Sequence, residues 1–143
     1  MLKKLIFIVD EKITLPNYNN DVEIVRKNEI EEIYNENKES ALYMCDDSKV
    51  AKMLCEQDKN VVALLTEDNK DSDFSFCKYA VMDVSACELD FFDGILRRFL
   101  GLPWEILETE RCLVRETTVE DVDVFYELYK DKEITKYMED LFE

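Results

Sequence analysis

Five short apolar runs in the first hundred residues have the length and composition of β-strands. The runs at 5–9, 41–45 and 61–65 are continuously apolar, a pattern typical of strands that are buried on both faces of a sheet. Two further runs, at 22–25 and 79–82, are shorter or alternate with polar residues. Polar residues follow each run at once, so the pattern predicts five strands joined by polar connections.

Apolar residues at helical spacing separate several of these runs. They recur over 50–55 and again over 89–100, where the helical pattern stops at Gly101. Asn28 and Glu31 together form a cap signature for another helix. Strands that alternate with helices predict an α/β fold, with a three-layer, mostly parallel, Rossmann-like sheet that carries helices on both faces.

The composition changes near Pro103, which predicts two domains, 1–104 and 105–143. The second segment holds 13 acidic and 5 basic residues among its 39, so it carries half of the net charge. Residues 107–116 are expected to form one or two strands, and Thr118 with Asp121 begins a helix. A second short helix is predicted over 134–142.

The overall charge excludes two classes of partner. With 34 acidic and 18 basic residues, the net charge is −16, which repels phosphate backbones and anionic lipid surfaces. We therefore expect neither nucleic acid nor a membrane as a partner. The apolar run at 5–9 is too short for a signal sequence or a membrane span.

The cysteines are those of a protein in a reducing compartment. There are five of them, without close CxxC spacing, and the sequence has no histidine. A disulfide framework and a zinc site of the Cys/His kind are therefore not expected. Buried, reduced thiols and a cytoplasmic location are the interpretation that remains.

Acidic residues stand where buried strands end. Asp10 follows the first run, Asp46 and Asp47 follow the third, and Glu67 comes soon after the fourth. Because parallel sheets bring the carboxyl ends of their strands to one edge, these carboxylates are predicted to gather there. Carboxylate oxygens suit Mg²⁺, so Asp10, Asp46 and Asp47 are candidate metal ligands, although an Asp at this position also begins helices.

The residues Asp10-Glu11-Lys12-Ile13-Thr14-Leu15 resemble the first motif of the haloacid dehalogenase (HAD) superfamily, DxDGTL. Residues 42–51, 61–65 and 79–83 resemble that superfamily's last strands, with the acidic pair that holds magnesium. The resemblance implies that Asp10 is a nucleophile and that Asp46 or Asp47 binds Mg²⁺. Lys12 stands at the position of the family's acid/base Asp, so a structural α/β domain with incidental acidic loop ends is the interpretation we favour over a hydrolase.

Residues 111–121, Arg-Cys-Leu-Val-Arg-Glu-Thr-Thr-Val-Glu-Asp, resemble the opening of a GNAT acetyltransferase domain. That family begins with a strand, a Thr-x-x-Asp cap and two helices, to which 122–130 and 134–142 correspond. The resemblance implies acetyl-CoA as the cofactor of a full-length parent, held by the backbone amides of a Q/R-x-x-G-x-G/A loop. The chain contains no such pattern, so no catalytic or cofactor-binding residue of this kind is expected in it.

We therefore expect an inactive, non-catalytic N-terminal part of a GNAT-family N-acetyltransferase, in which a regulatory or structural α/β domain precedes an incomplete acetyltransferase domain. The alternative is a HAD-like, Mg²⁺-dependent phosphohydrolase, or its degenerate, ligand-binding relative. A third hypothesis is a module whose acidic surface binds a basic partner.

The second segment also predicts self-association. Its apolar residues lack the sheet that covers them in a complete acetyltransferase domain, and exposed apolar faces tend to dock on another chain. A homodimer is therefore expected through the apolar residues of the tail, namely Phe125, Tyr137, Met138, Leu141 and Phe142.

Overall fold

The computed structural model describes residues 1–18, 21–27 and 36–138. The chain divides into two compact units, Met1–Leu100 and Gly101–Glu143, which we call the α/β unit and the tail unit. The division falls a few residues before the boundary predicted at 104. It coincides with Gly101, whose φ of 71° is the left-handed conformation that commonly follows the last turn of a helix.

The α/β unit is built on a parallel sheet of five strands in the order β2-β1-β3-β4-β5. The strands are β1 Lys4–Ile8, β2 Glu23–Arg26, β3 Ala41–Cys45, β4 Val61–Leu64 and β5 Tyr79–Val81. The predicted α/β class with a parallel sheet is confirmed. This order is one of the two common orders of doubly wound sheets.

Side chains that alternate along the strands divide the core in two. Leu5 and Phe7 join one cluster of buried apolar residues, while Ile6 between them joins the other. The central strands are apolar on both faces because both faces are covered: all five residues of β3 are buried.

Among the described residues, one helix contributes to each cluster. Helix α1, Ser48–Glu56, buries Ala51 and Leu54 in the cluster that contains Ile6. Helix α2, Leu89–Phe99, buries Phe92 and its neighbours on the same helix face in the cluster that contains Phe7. Both helices were predicted from their apolar spacing. The helix predicted over 28–34 lies outside the described residues.

The described part of the tail unit, 101–138, contains a hairpin and a helix. Strands β6 Glu105–Glu108 and β7 Leu113–Arg115 pair in antiparallel fashion, and a 3₁₀ turn, Val119–Asp121, leads into α3, Val122–Lys130. Thr118 and Asp121 form the predicted cap, since the Asp121 carboxylate accepts a hydrogen bond from the Thr118 amide at 2.8 Å.

The second helix of the tail is not formed over the described part of its predicted range. Residues 134–138 lie in turns, and 139–142 lie outside the described residues. The Asp131 carboxylate accepts from the Glu133 amide at 2.9 Å, and its carbonyl accepts from the Thr135 amide and hydroxyl at 3.0 Å. These bonds close isolated turns after Lys130, and the bond from the Glu133 amide to the Asp131 carboxylate competes with a regular helix.

Burial differs sharply between the two units. Every described residue of the tail unit is at least partly exposed, including Ile106 at 64% and Tyr137 at 91% of their full exposure. In the α/β unit, by contrast, Leu5, Leu42 and Val62 are fully buried. Among the described residues, no helix has the length and apolar character needed to cross a membrane.

Candidate functional site

A cleft of about 570 Å³ opens at the carboxyl edge of the sheet, beyond the ends of β1, β3 and β4. The sheet changes winding direction at β1, because β2 lies on one side of it and β3 on the other. Ligands of doubly wound proteins bind in the crevice at such a point. The carboxyl-edge cleft is lined by Asp10, Lys12, Ile13, Asp46, Asp47, Ser48, Lys49, Thr66, Asp68, Asn69 and Ser72.

The structure places all three predicted carboxylates, Asp10, Asp46 and Asp47, on the wall of this cleft. Glu67 is not among the lining residues, whereas its neighbours Thr66 and Asp68 are. Glu67 belongs to a 3₁₀ turn after β4, Glu67–Asn69. The residues directly before and after Glu67 line the cleft, whereas Glu67 itself does not.

Asp10 and Asp46 join the ends of two neighbouring strands. The Asp46 carboxylate accepts a hydrogen bond from the Asp10 amide at 2.8 Å, and the Asp10 carboxylate accepts from the Lys12 amide at 2.8 Å. The second bond turns the chain sharply after β1, as an Asp side chain often does. One oxygen of each carboxylate is thereby engaged with the backbone.

Arg26 holds the same turn from the other side. It lies at the end of β2, and its guanidinium donates to the carbonyl of Asp10 at 2.9 Å and to the carbonyl of Ile13. The turn that carries Asp10 and Lys12 is therefore fixed by β2 as well as by β3. The predicted strand ended at residue 25, and the sequence pattern gave Arg26 no role.

Asp47 begins helix α1. Its carboxylate accepts from the amides of Lys49 at 2.8 Å and Val50 at 3.0 Å, which satisfies two of the amides that a helix leaves free at its start. The role of helix cap, which the sequence left open for Asp47, is the one seen. The positive end of the α1 dipole lies at the cleft as a consequence.

Asn69 was missed by sequence reasoning, yet it connects three parts of the cleft wall. Its side-chain oxygen accepts from the Thr66 amide at 2.7 Å, and its side-chain nitrogen donates to the carbonyls of Asp46 and Leu64, both at 2.8 Å. The spacing Thr66-x-x-Asn69 is a capping signal that was present in the sequence. No sequence pattern indicated the bonds from Asn69 to the carbonyls of Asp46 and Leu64.

The described residues do not by themselves form a cage for a metal ion. No group of three or more Cys, Asp or Glu residues in the described part of the chain is arranged to hold one. Mg²⁺ commonly keeps several waters and binds one or two carboxylates together with the phosphates of a ligand. Asp10 and Asp46 are the predicted ligands that could contribute to such an arrangement, since Asp47 caps α1.

Cys45 and Cys77 are not suited to nucleophilic chemistry. All five are free thiols. Burial raises the pKa of Cys45 to about 12, and burial together with the nearby Cys55 raises the pKa of Cys77 to about 12. A nucleophilic cysteine needs a lowered pKa, so these side chains serve as small apolar groups.

In the tail unit, the residues of the motif at 111–121 hold the hairpin to the helix. The Arg115 guanidinium forms a two-pronged ion pair with the Asp121 carboxylate, with distances of 2.8 and 2.7 Å. Hydrogen bonds from Arg115 and from the Thr118 amide hold the pKa of Asp121 well below its usual value. These contacts are local to the junction of β7 and α3.

Comparisons with known proteins give no relative for the chain: it matches no family model, no curated protein and no solved structure. The residues of the carboxyl-edge cleft and of the tail unit are therefore the basis for inferring function.

Proposed function

We propose that the α/β unit is a non-catalytic, ligand-binding domain with a regulatory role, and that its carboxyl-edge cleft binds a phosphate-bearing small molecule together with Mg²⁺. One observation carries this proposal. Two carboxylates and two lysines line the same cleft, which lies where the sheet changes winding direction; they are Asp10, Asp46, Lys12 and Lys49.

The cleft offers partners for both charges of a magnesium phosphate. The two lysines favour an anion. The carboxylates of Asp10 and Asp46 favour the cation that accompanies it. Since the protein as a whole carries a charge of −16, a free phosphate would be repelled unless a cation accompanied it.

Binding without hydrolysis is favoured by the residue at position 12. Phosphohydrolases of the HAD type use an acid/base Asp there, and Lys12 has no carboxyl group to take that role. Lys12 also suits phosphate recognition as a point charge. A three-layer, HAD-like arrangement of the α/β unit belongs to the same proposal.

For the tail unit we propose the opening part of a GNAT-like domain. Its support is the order of hairpin, capped turn and helix, together with the Arg115–Asp121 pair. Acetyl-CoA would then be the cofactor of a longer parent protein, and ligand binding in the α/β unit would regulate that parent. The five free thiols are in keeping with the cytoplasmic location expected from the sequence.

Titration calorimetry with inorganic phosphate tests the binding proposal, in the presence of 5 mM Mg²⁺ or of EDTA. We expect saturable binding that requires Mg²⁺ and that the double variant Asp10→Asn/Asp46→Asn abolishes. Glu39→Gln, an exposed acid just before β3 and thus at the opposite edge of the sheet, is the matched control and should bind as the wild type does.

Two results would contradict the proposal. Binding that is the same in EDTA, or that survives the double variant, would remove the role of Asp10 and Asp46. Hydrolysis of p-nitrophenyl phosphate that depends on Mg²⁺ and disappears in Asp10→Asn would replace the non-catalytic domain with the HAD-like phosphohydrolase.

A further inference from the structure

The tail unit carries a groove of about 490 Å³ between α3 and the turns that follow it. Its lining consists of alternating acidic and apolar residues, namely Asp123, Val124, Glu127, Leu128, Asp131 and Ile134. The groove belongs to the tail unit alone, and it shares no lining residue with the carboxyl-edge cleft.

The floor of the groove is apolar and open to solvent. Val124 retains 63% of its full exposure, Leu128 43% and Ile134 52%. Three apolar side chains gathered in one concave site are costly to leave in water, because each would gain free energy by burial. A contact that covers them is therefore favourable.

The acidic residues lie in one sequence pattern with that floor. Asp123, Glu127 and Asp131 recur every four residues; the first two lie on one side of α3, and Asp131 directly follows its last residue. Glu127 has Lys130 at 3.0 Å, an exposed pair that contributes little. An apolar floor bordered by a row of carboxylates is complementary to a helix with one apolar and one basic face.

We infer that this groove is the docking site of a basic, amphipathic helical segment of another protein. The inference does not rest on the GNAT-like proposal for the tail unit, under which the sheet of a longer parent would cover these apolar residues instead. The partner would place two or three apolar side chains, spaced three or four residues apart, on Val124, Leu128 and Ile134, and its Lys or Arg side chains against the acidic row. At nine residues, α3 offers a surface about 14 Å long, enough for two to three turns of a partner helix.

Charge decides between this partner and a second copy of the chain. Residues 105–143 contain 13 acidic and 5 basic residues, so two tail units brought face to face would each present a charge of −8 to the other. Like charges across an interface oppose association, whereas a basic helix is attracted. The homodimer expected from the sequence is therefore the competing outcome of the test.

Fluorescence anisotropy tests the inference with a labelled 14-residue Leu/Lys peptide, patterned so that all its leucines lie on one helix face. A peptide with Glu in place of Lys and a peptide of scrambled order are the controls. We expect saturable binding of the first peptide alone, weakened by added salt. Sedimentation velocity on the protein without peptide should show a monomer.

Variants separate docking in the groove from general attraction to an acidic protein. Removing the floor with Val124→Ser/Leu128→Ser should weaken binding about tenfold or more. Removing two charges with Glu127→Gln/Asp131→Asn should weaken binding about threefold or more and flatten its salt dependence. Glu11→Gln/Glu39→Gln removes two exposed charges from the α/β unit, and its affinity should stay within about twofold of the wild type.

Because the substituted side chains are exposed, the variants should keep the wild-type circular dichroism spectrum. Equal affinity of the floor variant and the wild type would overturn the inference, since it would show attraction by charge alone. So would the absence of saturable peptide binding. A dimer that dissociates in Val124→Ser/Leu128→Ser would assign the groove to a second copy instead.

Discussion

Asp93 shows how one carboxylate joins the N-terminal segment to α2. Its Oδ1 atom accepts from the Leu2 amide at 2.6 Å and its Oδ2 atom accepts from the Arg97 guanidinium at 2.9 Å. Burial alone would raise the pKa of Asp93, but these hydrogen bonds outweigh burial and hold the pKa below its usual value. The side chain is 26% exposed, so solvent weakens these interactions only in part.

The lowered pKa of Asp93 predicts an acid-sensitive contribution to stability. A carboxylate whose pKa is lower in the folded state stabilises that state above its unfolded pKa, and the stabilisation is lost as the pH falls through the folded pKa. We expect Asp93→Asn to lower the free energy of unfolding at pH 7 by about 1–2 kcal/mol. The gap between variant and wild type should shrink below about pH 4.

Urea unfolding followed by circular dichroism, at pH values from 7 to 3, checks this expectation. Asp90→Asn removes the same charge from an exposed position in the first turn of α2, and it should cost only about 0.5 kcal/mol. Equal losses for the two variants at pH 7, or a gap for Asp93→Asn that persists at pH 3, would contradict the role given to Asp93.

At the level of elements, α1 connects the core to the carboxyl-edge cleft. It buries Ala51 and Leu54 against the sheet, while its first turn lies at the cleft with Asp47 as its cap. Asp47 is therefore needed for the helix, and the proposed Mg²⁺ contacts fall to Asp10 and Asp46. These two roles are separable by substitution.

Two substitutions of Asp47 separate them. Asp47→Ala removes the acceptor for the Lys49 and Val50 amides, and it should lower the free energy of unfolding by about 1 kcal/mol. Asp47→Ser keeps an acceptor and should cost less than about 0.5 kcal/mol. Urea unfolding measures both, and calorimetry should show phosphate binding by Asp47→Ser within about twofold of the wild type.

The outcome that would contradict this assignment is distinct for each measurement. If Asp47→Ser is as unstable as Asp47→Ala, the cap does not account for the loss. If Asp47→Ser keeps its stability but loses Mg²⁺-dependent binding, then Asp47 is a ligand of the cation and not only the cap of α1.

Sequence patterns correctly predict the elements whose side chains are buried on both faces of the sheet. Continuous apolar runs predict β1, β3 and β4 because these strands are covered on both faces. Asp10 was expected at the sheet edge because a strand end is visible as a change from apolar to polar residues. The position of a strand end thus carries information about the site.

What sequence patterns did not predict depends on contacts between distant residues. Arg26 and Asn69 bind backbone carbonyls of other segments, and a carbonyl is the same in every residue, so no side-chain pattern marks it. The helix predicted at 134–142 was wrong over its described part. Its apolar spacing was suitable, but none of the described residues of the tail unit is buried, so packing does not favour a helix there.

On the scale of the whole molecule, the two units differ in what holds them together. The α/β unit buries apolar side chains in two clusters, whereas the described residues of the tail unit include none that is buried. Local contacts, such as the Arg115–Asp121 pair and the hydrogen bonds between β6 and β7, account for the order of the tail. Exposed ion pairs contribute little to stability, so the tail should open far more readily.

Hydrogen exchange followed by mass spectrometry measures this difference directly. Backbone amides of β3 and β4 should exchange only through global opening of the α/β unit, while those of α3 should exchange about a hundredfold faster or more. Protection of α3 equal to that of β3 would contradict the account of the tail unit.

Addition of the basic Leu/Lys peptide should slow exchange in α3 and leave β3 unchanged, because binding stabilises only the segment that it orders. None of the described residues of the tail unit is buried, those of α3 included, and the exchange rates report whether a basic partner covers the apolar side chains of α3.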